Sequence, residues 1–411
     1  MNDMITKRYK TLTTLFCCLL FGAMLTGCMD FDNATQAVSV TIQVAGPEDC
    51  PNVSVSGRTV TLNGSSMLQG ITNAEGKVTF ENIVPEIYNI STAWKMSSEE
   101  YSQLTGTVIE KKGYTISGTL SSQLLSASTT EPIVLPTNMT QDQSLLIGKI
   151  YYQGSKDDRD KSYTYAKYVE LYNNSDADVE IKGLYLALLE SAHPTPDYPI
   201  QYLSDNVVAK QVFRIPAKTI RAGGTLLIVN SAVDHAAKGA SKEPNLLNAD
   251  FEAKDKNSIT KAHENNPDIP ELPQLYSFTN NTYMNLVHGG PCSIILFDTD
   301  EDVENDWVSS KLVYRYGKNS GYKLMKIPAS AVLDAVEILN YKVGTGVDIS
   351  TKRLFNYLDA GYTYTEAAYD GKLVVRKTLY TTADGRKVLQ DTNNSMNDFE
   401  VTDELKPREY Q

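Results

Sequence analysis

Apolar and polar side chains alternate from Val38 to Val44, with Val38, Val40, Ile42 and Val44 on one face and Ser39, Thr41 and Gln43 on the other. A period of two is the mark of a strand with one buried face. The same short, turn-broken pattern runs on through VSVSGRTVTLNG and GKVTFENIVPEIYNISTAW, so residues 38–136 are predicted to be a β unit. Asn73-Ala74-Glu75-Gly76 predicts a tight hairpin turn, with Gly76 supplying the positive φ. A Ser/Thr-rich bridge follows, and Pro132 and Pro136 would interrupt any ladder they entered, which places a boundary between 136 and 144. Strand patterns resume with LLIGKIYYQGS and continue from Tyr168 to Leu188, where Val179 and Ile181 alternate. Asn173-Asn174-Ser175-Asp176 reads as an Asx-type turn, with Glu170 and Asn173 assigned to stabilising it, and Gly223-Gly224 opens a further strand. Residues 234–274 are polar and longer than an ordinary connection, which makes them an insertion, either a functional excursion or a mobile surface loop. Strands return with PCSIILFDTD; VLDAVEIL fits strand or helix by pattern, and its context favours strand.

At 411 residues the chain has room for two or three domains, and 41% hydrophobic residues place it in the globular class. Twenty-five Tyr against two Trp tilt it toward strands, and the reading is an all-β fold of two sandwiches in tandem. A net charge of -12 argues against a nucleic-acid partner, since phosphate contacts need a basic face.

The N-terminus changes the picture most. Lys7, Arg8 and Lys10 precede an apolar run from Leu12 to Met24, which is too short to span a bilayer as a helix. Residues 1–27 are therefore expected to be a signal peptide. The ending Leu25-Thr26-Gly27-Cys28 resembles the lipobox of bacterial lipoproteins, which implies that Cys28 receives the lipid and becomes the first mature residue. The acyl chains contribute roughly 0.8 kcal/mol per buried CH₂, enough for stable anchoring when two or three are present. Residues 28–37 form a tether whose Asp30 and Asp32 resemble the export signal that places lipoproteins of gut-anaerobe Gram-negatives on the outer face of the outer membrane; the alternative is an acidic linker. Removal of the leader leaves 35 basic against 49 acidic residues, a mature charge of -14. Only Cys50 and Cys292 remain as a candidate disulfide, against two isolated buried thiols.

Residues 71–92, with Asn73, Gly76, Val78, Phe80, Ile83 and Tyr88 in register, resemble the hallmark of prealbumin-like, carboxypeptidase-regulatory-like sandwich domains, although Glu86-Ile87 stands where that pattern has glycine. The resemblance implies a structural module over 38–136. The block around Glu170, Leu171, Tyr172, Asn173, Ser175, Val179, Ile181, Gly183 and Leu186, followed by Pro216, Ile220, Gly223, Gly224 and Leu226, resembles the lamin-tail domain. It implies an immunoglobulin-like sandwich over 144–411, enlarged by the 234–274 insertion. The close, Arg376 with Asp391-x-Asn393-Asn394-Ser395-x-x-Asp398-Phe399, together with both blocks, resembles an uncharacterised bacterial lipoprotein family often encoded near TonB-dependent receptors.

Candidate chemistry is sparse. His193, His235, His263 and His288 stand in no metal or Cys-His spacing, and no Gly-x-Ser-x-Gly or phosphate loop occurs, so no catalytic set is assigned. Asp298, Asp300 and Asp302 have a spacing that Ca²⁺ uses, although an EF-hand is excluded by Val303 and Ser309; the alternative is a solvated acidic loop. Tyr151, Tyr152, Tyr163, Tyr165, Tyr168, Tyr357, Tyr362 and Tyr364 are either aromatic platforms for a carbohydrate or peptide or cross-strand packing. The expected function is a non-catalytic, surface-exposed outer-membrane lipoprotein that captures a small-molecule, glycan or protein ligand or serves a TonB-dependent receptor. A structural or adhesive protein and a hydrolase with an unmarked carboxylate pair are the alternatives.

Overall fold

The computed structural model describes residues 36–107, 113–190, 205–254, 263–279, 281–314 and 318–411; Cys28, the leader and His193 lie outside them. The fold is all-β. In the first part, one sheet sets Val38–Val44 between Lys77–Ile83, antiparallel, and Ile133–Leu135, parallel. A second orders Met67–Ile71, Thr59–Asn63, Glu86–Met96, Tyr114–Leu125 and Asn138–Gln141. Val40 and Ile42 from the first sheet share one core with Val60, Leu62, Ile90 and Trp94 from the second. Gly76 has φ +76°, and the Asn73 carboxamide oxygen accepts from the Glu75 and Lys77 amides at 3.0 and 2.9 Å. The expected hairpin does not form: this turn hands the chain from one sheet to the other, and Lys77–Ile83 pairs with Val38–Val44.

Beyond residue 144 two larger sheets face each other. One runs Phe251–Glu252, Thr225–Val229, Tyr168–Asn173, Leu145–Tyr151, Leu373–Arg376 and Phe399–Thr402; the other runs Leu312–Tyr314, Lys323–Pro328, Asn206–Arg214, Tyr185–Leu189, Ile294–Phe297 and Val332–Val336. Ile147, Val169, Leu171 and Ile228 meet Leu186, Phe213, Ile294 and Leu296 between them. Both sheets are also covered on their outer faces, one by Leu246 and Ala249 over Tyr168 and Leu227, the other by Trp307 and Leu354 over Phe297 and Met325. Strands buried on both faces lose polar alternation, and every residue of Tyr168–Asn173 is buried. Val332–Val336 is the expected strand.

Charge inside this second part is neutralised locally. The Arg376 guanidinium forks onto both Asp334 oxygens at 2.9 and 2.8 Å, reaches Asp391 at 3.2 Å and Asp398 at 3.7 Å, and lies over the Phe399 ring. The closing motif that reads so plainly in the sequence is thus a buried ion cluster. Its loop also touches the first part: Asn394 and Asn397 donate to the Thr119 hydroxyl at 3.1 Å, and Ser117 donates to the Thr392 carbonyl at 3.3 Å. Glu170 does not support the Asx turn; it is buried 4.0 Å from Lys149 and accepts from the Arg408 amide at 2.6 Å, which fastens the final residues to the sheet. Asn173 does close the turn, accepting from the Ser175 amide at 3.0 Å.

Cys50 and Cys292 are both free and buried, which corrects the disulfide candidate: Cys50 sits in the first core and Cys292 between the two large sheets. The 234–274 insertion is also not simply a polar surface excursion. Phe251–Glu252 joins Thr225–Val229 as a parallel strand, and His235, Ala240, Leu246 and Glu252 are buried.

Candidate binding cleft

The short strands Ser155–Lys156 and Ser162–Tyr163 pair as a hairpin. Its turn is set by the Asp157 carboxylate, which accepts from the Arg159 and Lys161 amides at 2.9 and 2.8 Å, while Asp160 takes a φ of +58°. Asp158 ties the hairpin to the insertion by accepting from the Ser241 amide at 3.0 Å and hydroxyl at 2.6 Å. The far end of the insertion is anchored beneath: Glu252 accepts from the Ala232 amide at 2.7 Å, and Lys254 donates to the carbonyls of His263 and Glu264 at 3.0 and 2.6 Å.

Between hairpin and insertion opens a cleft of about 370 Å³ lined by Arg159, Tyr163, Tyr165, His235, Lys238 and Glu264. Its wall is aromatic. Tyr163 and Tyr165 meet edge to face at 5.0 Å, Tyr163 meets His235 at 5.7 Å, Tyr165 meets His263 at 5.2 Å, and His263 stacks on Tyr283 at 4.4 Å. The His235 ring is fixed at both nitrogens: Nε2 lies 3.0 Å from the Ser231 carbonyl and Nδ1 lies 2.7 Å from the Tyr163 hydroxyl. A carbonyl only accepts, so Nε2 carries the proton and the Tyr163 hydroxyl donates to Nδ1.

Electrostatics keep this pair neutral. Burial pulls His235 down to about 4, and burial with the nearby Glu243 charge pushes Tyr163 up. His263 is also pulled down to about 4, by burial and then by Lys254 and Lys167. Groups tuned for proton transfer have values near the working pH; these are displaced in the opposite sense. Behind the wall, Glu243 accepts from Tyr151 at 2.8 Å and Ser155 at 2.5 Å, and burial raises it. At the rim, Lys238 and Glu264 pair at 2.8 Å, both about half exposed.

Of the predicted tyrosines, Tyr163 and Tyr165 reach this cleft. Tyr151, Tyr152 and Tyr168 are wholly buried and are packing residues. Tyr364 stacks on Tyr341 and adjoins Tyr362, and Tyr357 stacks on Phe355, away from the cleft. His235 was missed as a wall residue, and no sequence signal pairs it with a tyrosine 72 positions away.

Asp298, Asp300 and Asp302 are not brought together as ligands, and among the described residues no group of three or more His, Cys, Asp or Glu is placed to hold a metal ion. The cause is local. Asp302 caps the helical turn Val303–Trp307 by accepting from the Asn305 amide at 3.0 Å, and Glu301 accepts from the Trp307 indole at 2.6 Å while pairing with Lys311 at 2.8 Å.

Residues 221–405 match the family model described as a protein of unknown function, DUF4876. Among solved structures, the chain is similar to the crystal structure of a DUF4876 family protein from Bacteroides thetaiotaomicron VPI-5482, with 21% sequence identity and a TM-score of 0.55 over 88% of this chain and 94% of that one. At that identity the likeness is one of fold. No curated protein matches.

Proposed function

We propose that this protein is a non-catalytic outer-membrane lipoprotein, anchored through Cys28 and facing outward, that captures a glycan-like polar ligand for a TonB-dependent receptor. In this reading the first part is a prealbumin-like stalk and the second a lamin-tail-like, immunoglobulin-like sandwich that presents the binding cleft. The observation that carries it is the open cleft walled by Tyr163, Tyr165 and His235, with His263 packed against Tyr165. Rings held edge to face offer flat apolar surface beside polar groups, which suits a sugar ring and its hydroxyls. The rim side chains Arg159, Lys238 and Glu264 supply hydrogen bonds from both donors and acceptors. Two pieces of the sequence support the address: the basic and apolar leader, and the Leu25-Thr26-Gly27-Cys28 ending.

The test has two arms. A neutral glycan panel probed with the soluble chain and with Tyr165→Ala is expected to give a ligand whose binding falls at least tenfold in the variant; retention of full affinity would remove the cleft from the proposal. Pull-down of the tagged lipoprotein from solubilised outer membranes, beside Cys28→Ala, is expected to recover a TonB-dependent barrel in the first case alone. Recovery of no barrel would leave a cell-surface binding or adhesive protein without an uptake partner.

A further inference from the structure

A second cleft, of about 590 Å³, opens beside the Gly223-Gly224 turn and is lined by Arg221, Arg386, Lys387 and Arg408 against only Asp176 and Asp384. In a chain of net charge -12 this local excess of cations is the reverse of the whole. The arginines are placed by specific features. A Cβ on Gly224 would lie 2.9 Å from Cγ of Arg221, and one on Gly223 would lie 2.7 Å from Cγ of Arg386, so the paired glycines let both stems lie against the backbone. Gly223 has φ +65°, which also favours glycine there.

The guanidinium groups differ in how far they are already satisfied. Arg408 donates to Asp250 at 2.8 Å and to the Asn248 carbonyl at 2.6 Å, so its charge is largely committed. Arg386 gives one nitrogen to the Asn174 carbonyl at 3.1 Å, and Arg221 has no side-chain partner among the described residues. Two forks with spare donors on adjoining stems suit an oxyanion, because a planar guanidinium meets a carboxylate, sulfate or phosphate through two parallel bonds.

We propose that Arg221 and Arg386 form an anion-binding site for an acidic oligosaccharide, separate from the aromatic cleft. An adjoining cleft of about 730 Å³ shares Asp176 and Arg386 and runs on to Lys95 and Ser97, but Asp142, paired with Lys95 at 2.7 Å, and Glu99 line it too, so the anionic units are held at the Arg221 and Arg386 end. An acidic peptide fits less well, since Ala222 is the only aliphatic residue beside Tyr172 and Tyr410 in the cationic cleft, which leaves no aliphatic pocket for an anchoring residue.

The experiment titrates the full soluble chain with oligogalacturonate, a chondroitin sulfate oligosaccharide and inorganic phosphate in low salt, by calorimetry. Carboxylated or sulfated oligosaccharide is expected to bind, and Arg221→Gln with Arg386→Gln to weaken it at least tenfold with an unchanged thermal midpoint. Lysine at both positions should restore part of the affinity, because charge returns without the fork. Tyr165→Ala should leave this binding intact, which separates it from the proposed glycan cleft. Binding of none of the probes, equal binding by the glutamine variant, or phosphate binding as tight as that of the oligosaccharides would overturn the proposal.

Discussion

His235 converts burial into pH dependence. Its value of about 4 in the folded chain lies below the ordinary histidine value near 6.5, so between those pH values the unfolded chain binds a proton that the folded chain refuses. Its contribution to stability is present above about pH 6.5 and lost as pH falls toward 4, by up to roughly 3 kcal/mol. Thermal midpoints of wild type and His235→Gln between pH 7 and 4 are expected to converge on acidification, because glutamine has no proton to take up; parallel curves would contradict this. The acidic run shows the same principle at other residues. Asp298, Asp300 and Asp302 suggested cation ligands because spacing is visible in a sequence, whereas the competing demands on them are not: Asp302 meets an amide and Glu301 an indole, both within local structure. Added Ca²⁺ is therefore expected to leave the thermal midpoint unchanged, and a rise of several degrees would restore the loop as a site.

Elements in the first part were legible because each sheet has one buried face and Val38–Val44 alternates accordingly. In the second part Leu145–Tyr151 is buried throughout, so period two vanishes there and survives only in short outer strands such as Val179–Ile181. The burial within the insertion was not legible for a related reason: it depends on a parallel pairing with Thr225–Val229 and on Leu246 reaching an outer sheet face, both long-range. Strand Leu145–Tyr151 also carries a specific constraint. A Cβ at Gly148 would collide with the Tyr410 hydroxyl and press on Tyr172 at 3.3 Å, so Gly148→Ala must displace the final segment that caps Lys149 and Glu170. A loss of about 1–3 kcal/mol in urea unfolding is expected, with faster proteolysis of residues 405–411. Gly183, whose Cβ would meet nothing within 4 Å, offers a comparison at which only the positive φ is strained.

For the whole molecule the decisive centre is Arg376, fully buried among Asp334, Asp391 and Asp398. Arg376→Met would leave those carboxylates without their counter-charge and is expected to cost about 3–5 kcal/mol in chemical unfolding. The motif was readable, but its meaning was not, since the partner Asp334 lies 42 residues upstream and the Thr119 contact 275 upstream. The same eight residues, 391–398, therefore serve two clients, gripping Arg376 with their acids and the Tyr114–Leu125 strand with their amides. The natural place to cut this gene is the short connection 142–144 between Asn138–Gln141 and Leu145–Tyr151, yet a fragment starting there would keep a loop shaped for a surface it no longer meets, and the opposite fragment would expose Ser117 and Thr119. The seam between the halves is stitched from the C-terminal end, so pieces divided at that connection inherit an unfinished edge on each side.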